Sequence, residues 1–271
     1  MRAVGNASVA TVPGMADGLD GARLRHRQGE VRIRDGVPYS NSATTLSLLP
    51  GAVMGRWLAG QQHLVRGRLL DAGCGNQPFR AWYAPLVDEV VCLDAAPLEG
   101  VDVIGLADRL PFADASFDTL LVTEVLEHVT DAERAVAEIR RVLRPGGHAL
   151  ITVPYLYPTH EAPYDFRRFT HFGLRGVLER HGLEVVRLDA KGGGLLLMAH
   201  FLVLALVAAL DAVGVRLGRR QRLTDHRLLR PLLAAPQELA GRRLSPGNGV
   251  SGSATRASLG YMAVARRPEE Q

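Results

Sequence analysis

Cysteine is nearly absent: Cys74 and Cys92 are the only two among 271 residues. That count excludes a disulfide framework, and no histidines stand at the spacing a zinc site built on these cysteines would need, so no metal site is read here. Both cysteines fall in or beside apolar runs, as small core residues of a reducing, cytoplasmic compartment do. Met1 to Asp20 lacks the apolar stretch of a secretory signal. Positive charge is missing where a nucleic-acid reader would need it. Residues 68–190 are net acidic at −7, against +4 for residues 1–67 and +7 for residues 191–271, so no nucleic-acid partner is expected. What remains is an ordinary globular balance, 47% hydrophobic and 22% charged, in a chain long enough for one large domain.

The chain is organised around Arg68 to Phe79, a short apolar strand that runs into a Gly-x-Gly turn at Gly73 and Gly75. Glycines there permit backbone angles that side chains forbid and let a ligand lie against bare peptide. Pro78 suits the first turn of a following helix. Strand, glycine turn and helix start within a dozen residues open many nucleotide-binding α/β folds. A second apolar run, Glu89 to Leu93, is closed by Asp94, 19 residues beyond Gly75. That is close to the ~20-residue offset at which an acid meets ribose hydroxyls; the alternative is that Asp94 caps the next turn.

Further on come Leu110-Pro111-Phe112, Phe117-Asp118, Glu124-Val125-Leu126-Glu127-His128-Val129 and Arg141-Val142-Leu143-Arg144-Pro145-Gly146-Gly147. In this order, with the D-x-G-C-G turn, the pieces resemble the class I S-adenosylmethionine-dependent methyltransferases of the small-molecule branch. The resemblance covers roughly residues 66–190. Its specificity lies in the ordered set and not in any one motif.

Alternation along the chain predicts strands near 68–71, 90–94, 102–105, 119–123, 148–153, 184–188 and 259–265, with helices near 78–84, 131–143 and 171–181. The expected fold is α/β, a doubly wound, mostly parallel seven-stranded sheet. The resemblance adds an antiparallel last strand, supplied by Gly260 to Ala265. Thr130 and Glu133 fit a capping box for the 131–143 helix. Residues 1–40 read as a flexible arm and 41–190 as a helical lid and cofactor-binding core, with Pro50-Gly51 dividing the 42–66 stretch into two helices. Residues 191–258 form a helical C-terminal insertion, and 259–271 the final strand and tail.

Within that insertion, Leu195 to Leu210 is an apolar run broken only by His200, and residues 212–243 then carry eight Arg against two acids. At 16 residues the run is short of the ~20 that span a bilayer. Three readings stand: a helix buried in a substrate lobe or dimer contact, peripheral contact with an anionic membrane through residues 195–230, or a true span. The second places the protein at the inner face of the membrane. Ser245 to Ser258 reads as a surface loop. Oligomeric state is not readable.

The resemblance implies S-adenosyl-L-methionine as cofactor and in-line methyl transfer to a small-molecule or lipid-linked acceptor. It places the backbone of Asp71, Gly73 and Gly75 at the methionine end, Asp94 on both ribose hydroxyls and Glu124 beside the cofactor. Where relatives carry an adenine-binding Asp, this chain has Leu106, which leaves Asp108, or the backbone at Ala107 and Asp108, for that role. Gln77 replaces a third glycine. His128, four residues after Glu124, shares its face if that segment is helical, and is a candidate general base. The loop after the fifth strand, Pro154 to Thr170, resembles the H-x-x-P-Y-D-F element of one subgroup. It adds His160 and Asp165 as further base candidates and Tyr155, Tyr164 and Phe169 as acceptor walls. The plainer reading is that Asp165 pins the loop by an ion pair with Arg167 or Arg168. Two rival functions are weighed. A nicotinamide oxidoreductase needs a third glycine where Pro78 stands, and a non-catalytic membrane-associated protein would keep the fold alone.

Overall fold

The computed structural model describes residues 10–11, 30–34, 37–41, 48–216 and 257–269. All seven predicted strands form. They are β4 (Arg68–Ala72), β5 (Glu89–Asp94), β6 (Val103–Ile104), β7 (Phe117–Thr123), β8 (Leu143–Pro154), β9 (Glu184–Ala190) and β10 (Gly260–Arg266). The expected arm adds a two-residue edge strand, β1 (Ala10–Thr11), parallel to β6, and a separate hairpin of β2 (Glu30–Arg34) and β3 (Val37–Asn41). The main sheet runs β1-β6-β5-β4-β7-β8-β10-β9, and only β10 is antiparallel to its neighbours. Strands β4, β5, β7 and β8 are mutually parallel, so their carboxyl ends meet along one edge.

Strands covered on both faces read as near-continuous apolar runs, which is why Leu120, Leu121 and Val122 can follow one another in β7. Leu120 and Val122 join one core and Leu121 the other. The larger core lies under α3 (Ala132–Val142) and α4 (His171–Arg180). The opposite face packs Val53, Trp57 and Leu58 of α1 (Leu48–Gly60) and Trp82 and Tyr83 of α2 (Arg80–Tyr83). Burial of both faces by helices gives the doubly wound architecture.

Three local expectations are corrected. Pro50-Gly51 does not divide a helix: it lies in the first turn of α1, where proline costs no hydrogen bond, and only a short 3₁₀ turn at Gln62–Leu64 follows. The cap of α3 is Asp131, whose carboxylate accepts from Arg134 N at 3.0 Å; Thr130 is not the cap, and Glu133 instead pairs with Arg180 and His181. The apolar run belongs to a longer helix, α5 (Gly194–Arg216), in which Gly194–Val213 forms a 20-residue apolar stretch, long enough to cross a membrane. The described residues bury only 17% of that stretch. Its start is fixed by Gly192 (φ +80°), where a Cβ would meet Leu196 at 2.1 Å. Most of the Arg cluster and of the Ser245–Ser258 loop lies outside the described residues.

Candidate active site

The glycine turn sits at the carboxyl edge as predicted. Gly73 and Gly75 both hold positive φ, +73° and +52°, and the Gly73 and Cys74 amides share Leu93 O as acceptor. A Cβ at Gly73 would lie 2.5 Å from the Val125 side chain, so the residue is dictated first by packing against the segment after β7. The Asp71 carboxylate is buried and accepts from Tyr83 OH of α2 at 2.7 Å. Burial pushes its pKa up to about 7. Any cofactor role of Asp71 therefore falls to its backbone. Cys74 and Cys92 are both buried and free.

Asp94 fills the capping role weighed for it. Its Oδ2 accepts from Gly75 N at 2.8 Å and its Oδ1 from Ala96 N at 2.9 Å, which ties the turn to the end of β5. A carboxylate has about four acceptor positions, so two remain for a ligand's hydroxyls. Asp108 is buried in the turn between Leu106 and Arg109, beside buried Ala107, and its Oδ1 has no hydrogen-bond partner among the described residues. Leaving a buried acceptor unmatched costs about 1–3 kcal/mol. Gly75, Asp94 and Asp108 thus fit a ligand that carries vicinal hydroxyls and an amino group, as S-adenosylmethionine does.

The segment after β7 is not helical, so Glu124 and His128 do not share a helix face. Glu124 adopts φ +54°, and its Oε1 accepts from Lys191 Nζ at 2.6 Å and from Thr152 Oγ1 at 2.7 Å. Burial raises its pKa, but Lys191 and Thr152 together hold it below the ordinary carboxylate value.

Next to it stands a group the sequence did not single out. Glu127 is fully buried, and neither carboxylate oxygen has a hydrogen-bond partner among the described residues. Burial raises its pKa. The nearest polar atoms are His128 Nε2 at 3.6 Å and His160 Nε2 at 3.7 Å, both too far for a hydrogen bond. The two rings meet edge to face, with centroids 4.8 Å apart. His128 Nδ1 lies 2.7 Å from Tyr164 O, and His160 Nδ1 faces Pro158 O at 3.3 Å and Asp165 at 3.4 Å.

Asp165 is a positioning group and not a base. Its carboxylate binds Arg168 and accepts from His160 N at 3.0 Å, and its pKa is held down to about 2: burial acts against this, and Arg168 and the His160 amide prevail. The ion pair weighed for it is made by Arg168. Arg167 instead donates to the carbonyls of Leu126, Val129 and Thr130, which fastens the acceptor loop onto the Glu124–Val129 segment. Tyr155 and Phe169 are half-buried against the larger core, and Tyr164 serves His128 through its carbonyl. The loop also reaches α5, since Tyr157 stacks on His200 at 5.4 Å.

The chain is similar to known methyltransferases. A methyltransferase domain model matches residues 70–151. The chain is 29% identical over 223 residues to a malonyl-[acyl-carrier protein] O-methyltransferase of Methylococcus capsulatus, covering 72% of this chain and 80% of that one. It is 38% identical over 88 residues to the ubiquinone/menaquinone biosynthesis C-methyltransferase of Hahella chejuensis, covering 31% and 35%. A crystal structure of an S-adenosylmethionine-dependent methyltransferase from Mesorhizobium loti superposes with TM-score 0.48 at 18% identity, over 81% of this chain and all of that one.

Proposed function

Because the chain belongs to the class I S-adenosylmethionine-dependent methyltransferases, we propose that it methylates a small-molecule acceptor carried on a lipid, met at the inner face of a membrane. The observation that carries the acceptor class is the position of α5. It starts one glycine turn from Lys191, touches the acceptor loop through His200 and Tyr157, and exposes Leu195, Met198, Leu202 and Leu206 along one side.

S-adenosylmethionine, when bound, supplies an electrophilic methyl group on a sulfonium, and the hard chemistry is the cofactor's. The chain's task is to place and orient. Asp94 fixes the Gly75 turn and offers its remaining lone pairs to the ribose. Asp108 offers a buried acceptor to the adenine amine. Arg167 fastens the loop to the segment after β7, and Arg168 braces the loop internally through Asp165 and the carbonyls of Tyr157 and Pro158.

Calorimetry on the full chain tests the cofactor half of this reading. Wild type is expected to bind S-adenosylmethionine, and Asp94→Ala to bind at least tenfold more weakly, because it loses charge-assisted hydrogen bonds of about 1.5–3 kcal/mol each. No binding at high micromolar cofactor would overturn the reading. A labelled-methyl screen against lipid extracts and water-soluble metabolites then identifies the acceptor.

A further inference from the structure

Glu127, His128 and His160 converge on one point in a way their own hydrogen bonding does not explain. Each points one potential ligand atom inward, and these atoms lie within 4.8 Å of one another. The outer nitrogen of His128 has Tyr164 O as acceptor and that of His160 has Pro158 O and Asp165. Those acceptors place the ring proton on Nδ1 in both cases, so both Nε2 lone pairs face the Glu127 carboxylate. The Glu127 carboxylate between them is wholly buried and has no hydrogen-bond partner among the described residues. A buried carboxylate in that condition is matched either by a proton or by a cation, and the two imidazole nitrogens that face it are ligands for a cation.

We propose that Glu127, His128 and His160 form a binding site for a divalent first-row transition cation, bound through one carboxylate oxygen and two Nε2 atoms. Two imidazoles and a carboxylate are a donor set for zinc or iron, not for magnesium or calcium. The outer contacts of the two histidines match the usual support of metal-bound imidazole, a carbonyl or carboxylate on the far nitrogen. Ligands at the ~2.0–2.1 Å of a tetrahedral site lie ~3.4 Å apart, and the Glu127 oxygen is already 3.6 and 3.7 Å from the two nitrogens. A small movement of His160 on its loop closes the remaining edge.

Glu124 is not needed as a ligand, since Lys191 already answers its charge. Three protein ligands leave positions open at the acceptor loop, where an acceptor oxygen or nitrogen can enter. That last step rests on the methyl-transfer reading; the metal site does not.

The test uses the full chain, stripped with a chelator and then titrated with Zn²⁺, Co²⁺ or Mg²⁺ singly. One equivalent of Zn²⁺ is expected to bind, Co²⁺ to give the visible ligand-field absorption of a nitrogen–oxygen site, and Mg²⁺ to bind at least a hundredfold more weakly. His160→Ala, on a half-buried loop residue, and Glu127→Gln are each expected to weaken Zn²⁺ binding at least tenfold and to leave S-adenosylmethionine affinity within twofold. Absence of stoichiometric Zn²⁺ and Co²⁺ binding by the wild type, or Zn²⁺ binding unchanged in both variants, overturns the site. Cofactor binding without metal binding would sink only this inference, and metal binding without cofactor binding would sink only the proposed function.

Discussion

Lys191 Nζ lies 2.6 Å from Glu124 Oε1, and Lys191 is the only lysine in a chain whose other permanently charged basic side chains are all arginine. The pair joins the segment after β7 to the segment after β9, 67 residues apart. Lysine is a compact charge on a thin stem and fits where an arginine fork would not. Its side chain is 2% exposed, so its charge has little recourse to solvent.

Lys191→Met is therefore expected to destabilise the protein by on the order of 2 kcal/mol. That lies between the exposed and fully buried limits for breaking an ion pair, because Glu124 keeps 30% of its side-chain surface. Adding Glu124→Gln should restore part of the loss, and thermal melting of the two variants checks both steps. A Lys191→Met protein that melts with wild type would show that solvent, not Lys191, carries the Glu124 charge.

The pH dependence follows from Asp71. Burial raises its pKa from 3.8 to about 7, so the folded state favours the protonated acid. Its contribution is fully present below the unfolded value, falls as the pH rises from about 4 to 7 and is lost above. Asp71→Asn has no proton to lose and can still accept from Tyr83. The melting temperature of Asp71→Asn is expected to exceed that of wild type at pH 8 and to approach it near pH 4. A difference that stays constant across that range would contradict the assignment.

His200 gives a second stabilising substitution. Both ring nitrogens are buried without a hydrogen-bond partner among the described residues, and the ring stacks on Tyr157 at an interplanar angle of 20°. His200→Phe keeps the stack and removes two unmatched polar atoms. It should stabilise the protein by about 1–3 kcal/mol, read as a higher melting temperature. If methyl transfer then falls while stability rises, the imidazole contacts the acceptor, because a site under functional demand can hold a strained polar group.

Most of the fold could be read from the sequence, because the sheet's strands are short apolar runs punctuated by Gly, Pro and Asp and each falls where its run lies. The glycine-turn edge was legible for the same reason: Gly73, Gly75 and Asp94 sit within one strand–turn–helix–strand unit, and local spacing sets their geometry. What could not be read was whatever depends on distant contact. Glu127 looked like one more polar residue beside His128, and only folding of the loop brings His160 against it from 33 residues on. Lys191 carried a faint signal, a lone lysine among arginines, whose meaning needed Glu124. The cap of α3 was misplaced by one residue because Thr130 and Asp131 are both capping residues and the choice depends on how the chain enters from the Arg167-bound segment.

The longest-range expectation concerns α5. Leu195 and Met198 are 70% and 71% exposed, and Leu202 and Leu206 continue the same side. Their side chains cost free energy in water at roughly 25 cal/mol per Å² of apolar surface, so an apolar phase is favoured there. The Arg-rich stretch of residues 212–243 follows directly, which adds attraction for anionic head groups of ~1 kcal/mol per Arg near the surface. The full chain is expected to float with anionic vesicles, to float less with neutral ones, and to be released in part by high salt, because screening weakens the Arg contribution but not the apolar one. Leu202→Glu with Leu206→Glu should abolish flotation with both vesicle types and leave S-adenosylmethionine binding unchanged, since neither residue is near the glycine turn in sequence or core. Recovery of the wild type in the soluble fraction under every condition would mean that other parts of the chain or a second protein cover the helix, and the acceptor need not be a lipid.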